Sequence, residues 1–192
     1  PRPLALPPPP AFPEHLRIIT SPPHPAGSPA QVEVGNSITR VMKAAGLDVF
    51  FVPRADAHQG EYVADCDARL EWLTGFTGSA GFALVTAQEA GVFIDGRYRN
   101  QVRAQVDLDH FTPVDWPETK AGDWLAERLA KGARVGFDPW LHTSAEVEGW
   151  QKALAPLSVA LDPVDNLVDR IWQDRPPCPA APAVIYPIEY AG

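Results

Sequence analysis

The sequence predicts an α/β fold, a mixed β-sheet flanked by helices, on three observations. Apolar runs rich in β-forming residues alternate with segments whose apolar residues recur at helical spacing. Two of those runs, Phe82–Thr86 and Gly91–Ile94, are joined by a short turn and read as a hairpin, which makes the sheet mixed rather than all-parallel. The composition, 45% hydrophobic and 21% charged, is that of an ordinary globular domain with a core.

Taken in order, the first helix opens at Ser28-Pro29-Ala30-Gln31, a capping-box start with proline at the first helical position. Val34, Ile38, Val41, Met42 and Ala45 continue it at helical spacing, and Gly46 supplies a left-handed stop. Leu47–Val52 reads as a buried strand ended by Pro53. After the hairpin, Tyr98, Val102 and Val106 mark a helix following Asp95, and Trp124, Leu125 and Leu129 mark another closed by Lys131-Gly132. Arg134–Phe137 is a short strand. Thr143 and Glu146 form a second capping box before Val147, Trp150 and Leu154. Leu157–Leu161 is expected as a last strand and Asn166–Trp172 as a last short helix. Trp72, Trp124, Trp150 and Trp172 fall at helical core positions.

Proline marks the limits of this folded part. Eleven of the 22 prolines fall within Pro1–Pro29 and five between Pro176 and Pro187, leaving six in the 146 residues between. Residues 1–27 therefore read as an extended Pro-rich tail, and only secondarily as a ligand for an aromatic groove. Phe12, Leu16, Ile18 and Ile19 are the tail residues able to pack on the domain. Sixteen Lys and Arg against 24 Asp and Glu give a formal charge of −8, which argues against nucleic acid or an anionic membrane as partner. Cys66 and Cys178 are too few for a disulfide framework or a cysteine-built zinc site. The expectation is a reduced, cytoplasmic protein with no transmembrane segment.

Spacing alone reveals no catalytic apparatus. Gly75-Phe76-Thr77-Gly78-Ser79-Ala80-Gly81 fits neither a dinucleotide fingerprint nor a P-loop, and Thr77 stands where a nucleophile elbow needs glycine. A tight turn where backbones approach closely is the better reading. Asp56-Ala57-His58-Gln59-Gly60-Glu61-Tyr62, followed by Asp65 and Asp67, holds oxygen ligands and an imidazole but no metal-binding spacing, so a solvated acidic loop is favoured over a cation site. Asp95-Gly96-Arg97-Tyr98 sits at a strand-to-helix junction, with Asp95 as the cap and Arg97 available to a carboxylate on another loop. The five histidines are scattered, and no Ser-His-Asp set can be assembled.

Together these stretches carry more meaning than each alone. The Asp56–Tyr62 loop, then Leu73–Gly81, Asp95–Tyr98, Val135-Gly136-Phe137-Asp138-Pro139, Asn166–Trp172 and Asp174-Arg175-Pro176 occur in order. The series resembles the amino-terminal, creatinase-type domain of three-domain cytosolic Xaa-Pro aminopeptidases, and the likeness runs from about Val32 to Gly192. It implies a ribonuclease-H-like α/β fold, the creatinase/prolidase N-terminal domain. It also implies a parent enzyme that removes the residue preceding a proline in second position. In that family the chemistry belongs to a carboxy-terminal pita-bread domain, where Asp, His and Glu hold two divalent metal ions, usually manganese, that activate a bridging water.

The amino-terminal domain carries none of those ligands, so the resemblance implies no cofactor and no catalytic residue in this chain. Residues 28–172 are expected to form the domain. Residues 173–192 are then a linker, with Ile188–Gly192 as the first strand of a truncated middle domain. The expected partners are the missing middle and catalytic domains, the peptide substrate and a second copy in a homodimer. Asp56, His58 and Glu61, braced by Arg69 and Arg97, are the candidate substrate-access residues. Gly75, Gly78, Gly81, Asp95 and Tyr98 are the candidate structural motif. A free-standing binding module of the same fold is the competing reading. An independent hydrolase using His58 has the least support.

Overall fold

A computed structural model of the chain describes residues 29–182, 184, 185 and 187–190, the first eight of these by backbone alone. The Pro-rich tail 1–27, the Ser28 cap and the end of the chain at Gly192 lie outside the described residues. Among the described residues there are five helices: α1 (Pro29–Ala44), α2 (Arg69–Thr74), α3 (Arg99–Gln105), α4 (Ala121–Ala126) and α5 (Ser144–Leu154). They accompany six strands: β1 (Val49–Pro53), β2 (Gly81–Thr86), β3 (Ala90–Asp95), β4 (Phe111–Trp116), β5 (Arg134–Phe137) and β6 (Ala160–Pro163).

The strands form one mixed sheet in the order β4-β3-β2-β1-β5-β6. The expected hairpin is present, with Phe82 opposite Phe93 and Val85 opposite Ala90. β2 is antiparallel to both β1 and β3, while β4 pairs parallel to β3, β5 to β1 and β6 to β5. Five strands therefore share one direction, and β2 alone opposes them. Side chains alternate across this sheet, as the pleat requires. Phe50, Val52, Ala83, Val85, Val92 and Ile94 pack on one face with Ile38 and Met42 of α1, Leu70 and Leu73 of α2 and Val102 of α3. Val49, Phe51, Leu84, Phe93, Val135 and Phe137 pack on the other with Trp124 and Leu125 of α4 and Leu154 of α5. Both faces are thus covered, which explains why β1 reads as an uninterrupted apolar run.

The turn chemistry largely follows the sequence. Gly46 and Gly132 take positive φ of 66° and 80°, and α5 opens with a complete capping box between Thr143 and Glu146. All four tryptophans expected in the core pack there, with the rings of Trp72 and Trp172 stacked 5.3 Å apart.

Several elements depart from the sequence reading. The last strand is Ala160–Pro163 rather than Leu157–Leu161. Ala155–Leu157 forms a tight turn and Ser158 adopts a left-handed φ of 53°, so the ladder begins only where the Ala160 amide meets the Ala133 carbonyl. Asn166–Trp172 is a series of turns and not a helix. The Asn166 side chain takes the Val168 amide, the next bonds, from Arg170 to Leu167 and from Ile171 to Val168, are of the i to i+3 kind, and a single i to i+4 bond, from Trp172 to Val168, follows them. Ile188–Tyr190 is a single 3-10 turn where a strand was expected, with no neighbouring strand paired to it among the described residues. β4 is an addition that the spacing did not reveal, and of α2 only the core position of Trp72 was foreseen.

Candidate functional site at the carboxyl rim of the sheet

Because five strands run together, their carboxyl ends Pro53, Asp95, Trp116, Phe137 and Pro163 line one rim, joined by the start of β2 at Gly81. The motifs Asp56–Tyr62, Leu73–Gly81, Asp95–Tyr98, Val135–Pro139 and Asn166–Trp172 all lie where the chain leaves or enters the sheet at this rim. Open α/β sheets characteristically bind ligands outside the carboxyl ends of their strands.

The loop after β1 is shaped by Asp56, which is buried. Its Oδ1 accepts the backbone amides of His58 at 2.9 Å and Gly60 at 3.2 Å. The Gly60 amide, against the opposing pull of burial and with the help of the His58 amide, holds this carboxyl below its ordinary range. The turn presents His58 and Glu61 to solvent. Arg54 Nη1 donates to the Glu61 carbonyl at 3.0 Å and pins the far end of the loop.

Beyond His58 lies an open cavity of about 660 Å³, lined by His58, Arg69, Asp138, Trp140, Asn166 and Asp169 among others. Arg69 is its best-anchored cation. Nε and Nη2 reach the two oxygens of Asp169 at 2.7 and 3.0 Å, and Nη1 reaches Asp67 at 2.9 Å. Burial alone would pull the guanidinium down, but the Asp169 and Asp67 carboxylates outweigh it and raise its pKa. Asp138 is equally committed: one oxygen accepts the Trp140 amide and the other the Asn166 side-chain amide, each at 3.0 Å. Trp140 stands over this cavity 77% exposed, large and apolar without a covering. A second cavity of about 450 Å³ lies on the α4–α5 side, with Gln59, Trp116, Lys120, Glu146 and Trp150 in its wall. Leu141 borders both.

The glycine stretch is the architecture of the rim. Gly75 ends α2 in a left-handed conformation, φ 79°, with its amide on the Glu71 carbonyl. Gly78 lies directly over the Phe76 ring, and a Cβ on Gly81 would come within 2.7 Å of the Phe93 carbonyl oxygen. Ser79 and Tyr98 hydroxyls meet at 2.6 Å, tying this stretch to the turn after β3. There Asp95 Oδ1 accepts the Arg97 amide at 2.9 Å, as a cap should.

The model for the creatinase/prolidase N-terminal domain matches residues 36–171. The chain belongs to that family. This creatinase-type domain is 37% identical over 199 residues to a probable Xaa-Pro aminopeptidase P of Coccidioides posadasii, covering 96% of this chain and 30% of that protein. It is 40% identical over 165 residues to a probable Xaa-Pro aminopeptidase P of Talaromyces stipitatus, covering 81% and 24%. The domain thus spans less than a third of the curated relatives it matches. Among solved structures, X-prolyl aminopeptidase of Caenorhabditis elegans, described as a cytosolic enzyme with a di-nuclear active site, superposes with a TM-score of 0.75 at 31% identity. That match covers 83% of this chain and 28% of the other. The N-terminal domain of PepQ from Mycobacterium tuberculosis shares the fold, with a TM-score of 0.56 at 24% identity, covering 72% and 98%.

Within the creatinase-type domain, His58 and Arg69 come together at one cavity, with Asp56 beneath the His58 turn and Glu61 at its exposed end. Arg97 does not join them. It pairs with Asp95 of its own turn at 2.8 Å, and Arg54 takes the bracing of the acidic loop expected of Arg69 and Arg97. Asp138, Trp140, Asp169 and Arg175 are the rim residues that the sequence reading did not single out, and Asp67 was named there only as a solvated carboxylate. Asp138, Asp169 and Arg175 stood within the family-like motifs, but their pairing across the fold leaves no trace in spacing.

Among the described residues, one group of three metal-capable side chains converges: Cys66, Asp67 and Cys178, with ligand atoms all within 4.8 Å of one another. Two thiols and a carboxylate already bonded to Arg69 and Arg175 do not fit the Asp, His and Glu set implied for a dinuclear centre. No helix among the described residues is long and apolar enough to cross a membrane.

Proposed function

We propose that this chain serves as the non-catalytic amino-terminal domain of a cytosolic metal-dependent Xaa-Pro aminopeptidase, shaping access of the peptide to a dinuclear, manganese-type centre carried by the rest of the parent protein. In this reading residues 28–172 are the domain and residues 173–192 the passage toward the following one. The observation that carries it is the gathering of three of the family's motifs, Asp56–Tyr62, Val135–Pro139 and Asn166–Trp172, around the His58–Trp140 cavity. An exposed tryptophan, an imidazole and an acidic loop present a surface on which an extended peptide or an adjoining domain can rest. Arg69 acts there as a positioning residue, since its donors are already directed at Asp67 and Asp169. The subunit interface of a homodimer is proposed at the same level, by likeness to the family.

The test uses the whole parent protein, obtained by following the reading frame past Gly192. His58→Ala and Trp140→Ala are expected to raise KM for an X-Pro peptide about tenfold, with kcat and the melting temperature little changed. An unchanged KM in both variants would remove substrate access from the role of this rim. Robust turnover of an X-Pro peptide by the 192-residue chain alone with manganese would overturn the non-catalytic assignment.

A further inference from the structure

We propose that Cys66 and Cys178 form a reversible redox pair whose disulfide fastens the chain segment leaving the domain to the turn before α2. The two residues are far apart in the sequence, one just before α2 and the other well beyond β6, yet their sulfurs are within 4.8 Å, and both are free thiols. Their approach is built by neighbouring contacts. Arg175, three residues before Cys178, donates from Nε to the Cys66 carbonyl at 2.6 Å. The same guanidinium reaches Asp169 at 2.8 Å and Asp67 at 3.3 Å, two carboxylates already gathered by Arg69. The backbone of Cys66 and the segment carrying Cys178 are therefore held together before any covalent bond exists, which is the condition for fast closure.

The pair is asymmetric. Cys178 is exposed and Cys66 is buried, 1% accessible. Burial, the contact with Cys178 and the nearby Asp67 charge push the Cys66 thiol up to about 12, so Cys178 is the sulfur that meets an external oxidant. With oxidised glutathione, the Cys178 thiolate attacks one glutathione sulfur, forming a mixed disulfide and releasing one glutathione thiolate. Cys66 then gives up its proton and attacks the Cys178 sulfur, expelling the second glutathione. Two protein thiols and one oxidised glutathione become one protein disulfide and two reduced glutathiones. Two electrons pass to the oxidant, and the two thiol protons end on the glutathiones. The short Cys–Asp–Cys grouping is read as a redox pair rather than a metal site because Asp67 already serves two guanidinium groups.

The experiment treats the folded 192-residue chain with oxidised glutathione and follows it by intact mass and non-reducing peptide mapping. The expected product has lost two hydrogens, joins the Cys66 and Cys178 peptides, and reverts with dithiothreitol. Cys66→Ser is expected to stop at a stable glutathione adduct on Cys178, and Cys178→Ser to remain unmodified. Bridging in the wild-type chain is expected to be about tenfold or more faster in buffer than in urea, because only the folded chain holds the sulfurs together. A lasting glutathione adduct on wild-type Cys178, or no loss of thiols, would overturn the proposal. So would one equivalent of zinc, added alone, that binds the wild-type chain and neither single variant.

Discussion

Arg69 and Asp169 are 100 residues apart in the chain and meet as a two-point guanidinium–carboxylate pair, Nε to Oδ1 at 2.7 Å and Nη2 to Oδ2 at 3.0 Å. Asp67 and Arg175 complete a four-member ionic cluster around it. This cluster joins the start of α2, the turns after β6 and the departing segment at the rim of the sheet. It gives the His58–Trp140 cavity a rigid wall.

Removing the central guanidinium should therefore cost stability. Arg69 is almost fully buried, whereas Asp67 and Asp169 are 25% and 30% exposed and would keep Arg175. Arg69→Ala is expected to lower unfolding free energy by about 2 kcal/mol, below the usual loss for breaking a fully buried pair. Arg69→Lys should recover less than half of it, since an ammonium cannot reproduce the fork. Urea midpoints of the three proteins measure this. Equal midpoints for wild type and Arg69→Ala would show the cluster to be energetically idle.

Asp138 and Asn166 form a second link across the same rim, both buried and joined at 3.0 Å. Asn166→Ala leaves one Asp138 oxygen without its amide and frees the Val168 amide that Asn166 also caps. A loss of about 2 kcal/mol is expected. Asn166→Asp should be worse than Ala, because it sets a second carboxylate against Asp138 in a buried place. Thermal unfolding of the two variants gives the ranking, and an Asp variant as stable as Ala would contradict it.

Much of this fold was legible because each signal was local. The Phe82–Ile94 hairpin, the Gly46 stop and the Thr143–Glu146 capping box depend on residues within a few positions of one another. β4 was hidden for a physical reason: it is an edge strand with Pro113 in its middle and side chains in mixed exposure, so it carries no clean alternation. The six-residue α2 is too short to display a helical period, and the Asn166 side chain diverted an apolar segment into turns. At the site, the motif residues were visible but their partners were not. Arg69 meets Asp169 and Arg175 meets Asp67 across about a hundred residues of chain, contacts that only the tertiary fold specifies, whereas Arg97 stays with Asp95, two residues away.

His142 should make stability depend on acid. Its ring lies among Phe51, Phe137 and Trp150, and its buried Nε2 has no hydrogen-bond partner among the described residues. Burial pulls its pKa from 6.5 to about 4, with Glu146 and Asp138 pulling weakly the other way. Between those values the unfolded chain binds a proton that the folded chain refuses. The stabilising contribution is therefore complete above pH 6.5, falls as pH drops, and is gone below about 4. The full swing is about 3 kcal/mol at most. Carboxylates titrate over part of the same range, so the readout is the difference between wild type and His142→Leu. The variant should lose less stability than wild type between neutral pH and pH 4. Parallel urea-midpoint curves would count against the buried neutral imidazole.

Gly78 tests whether the glycine stretch is architecture or ligand cradle. A Cβ there would run into the ring of Phe76, which is 1% exposed and held among core side chains. Gly78→Ala is expected to destabilise by about 1–3 kcal/mol through overpacking. Gly132→Ala is the comparison, since that glycine has φ +80° with nothing within 4 Å. It should lose only about 1 kcal/mol, from backbone strain alone. Adding Phe76→Leu to Gly78→Ala removes the ring that the new methyl meets, so the double variant should be less damaged than the sum of the two single losses. Additive losses in that cycle would mean the glycine is required for some reason other than the aromatic ring beneath it.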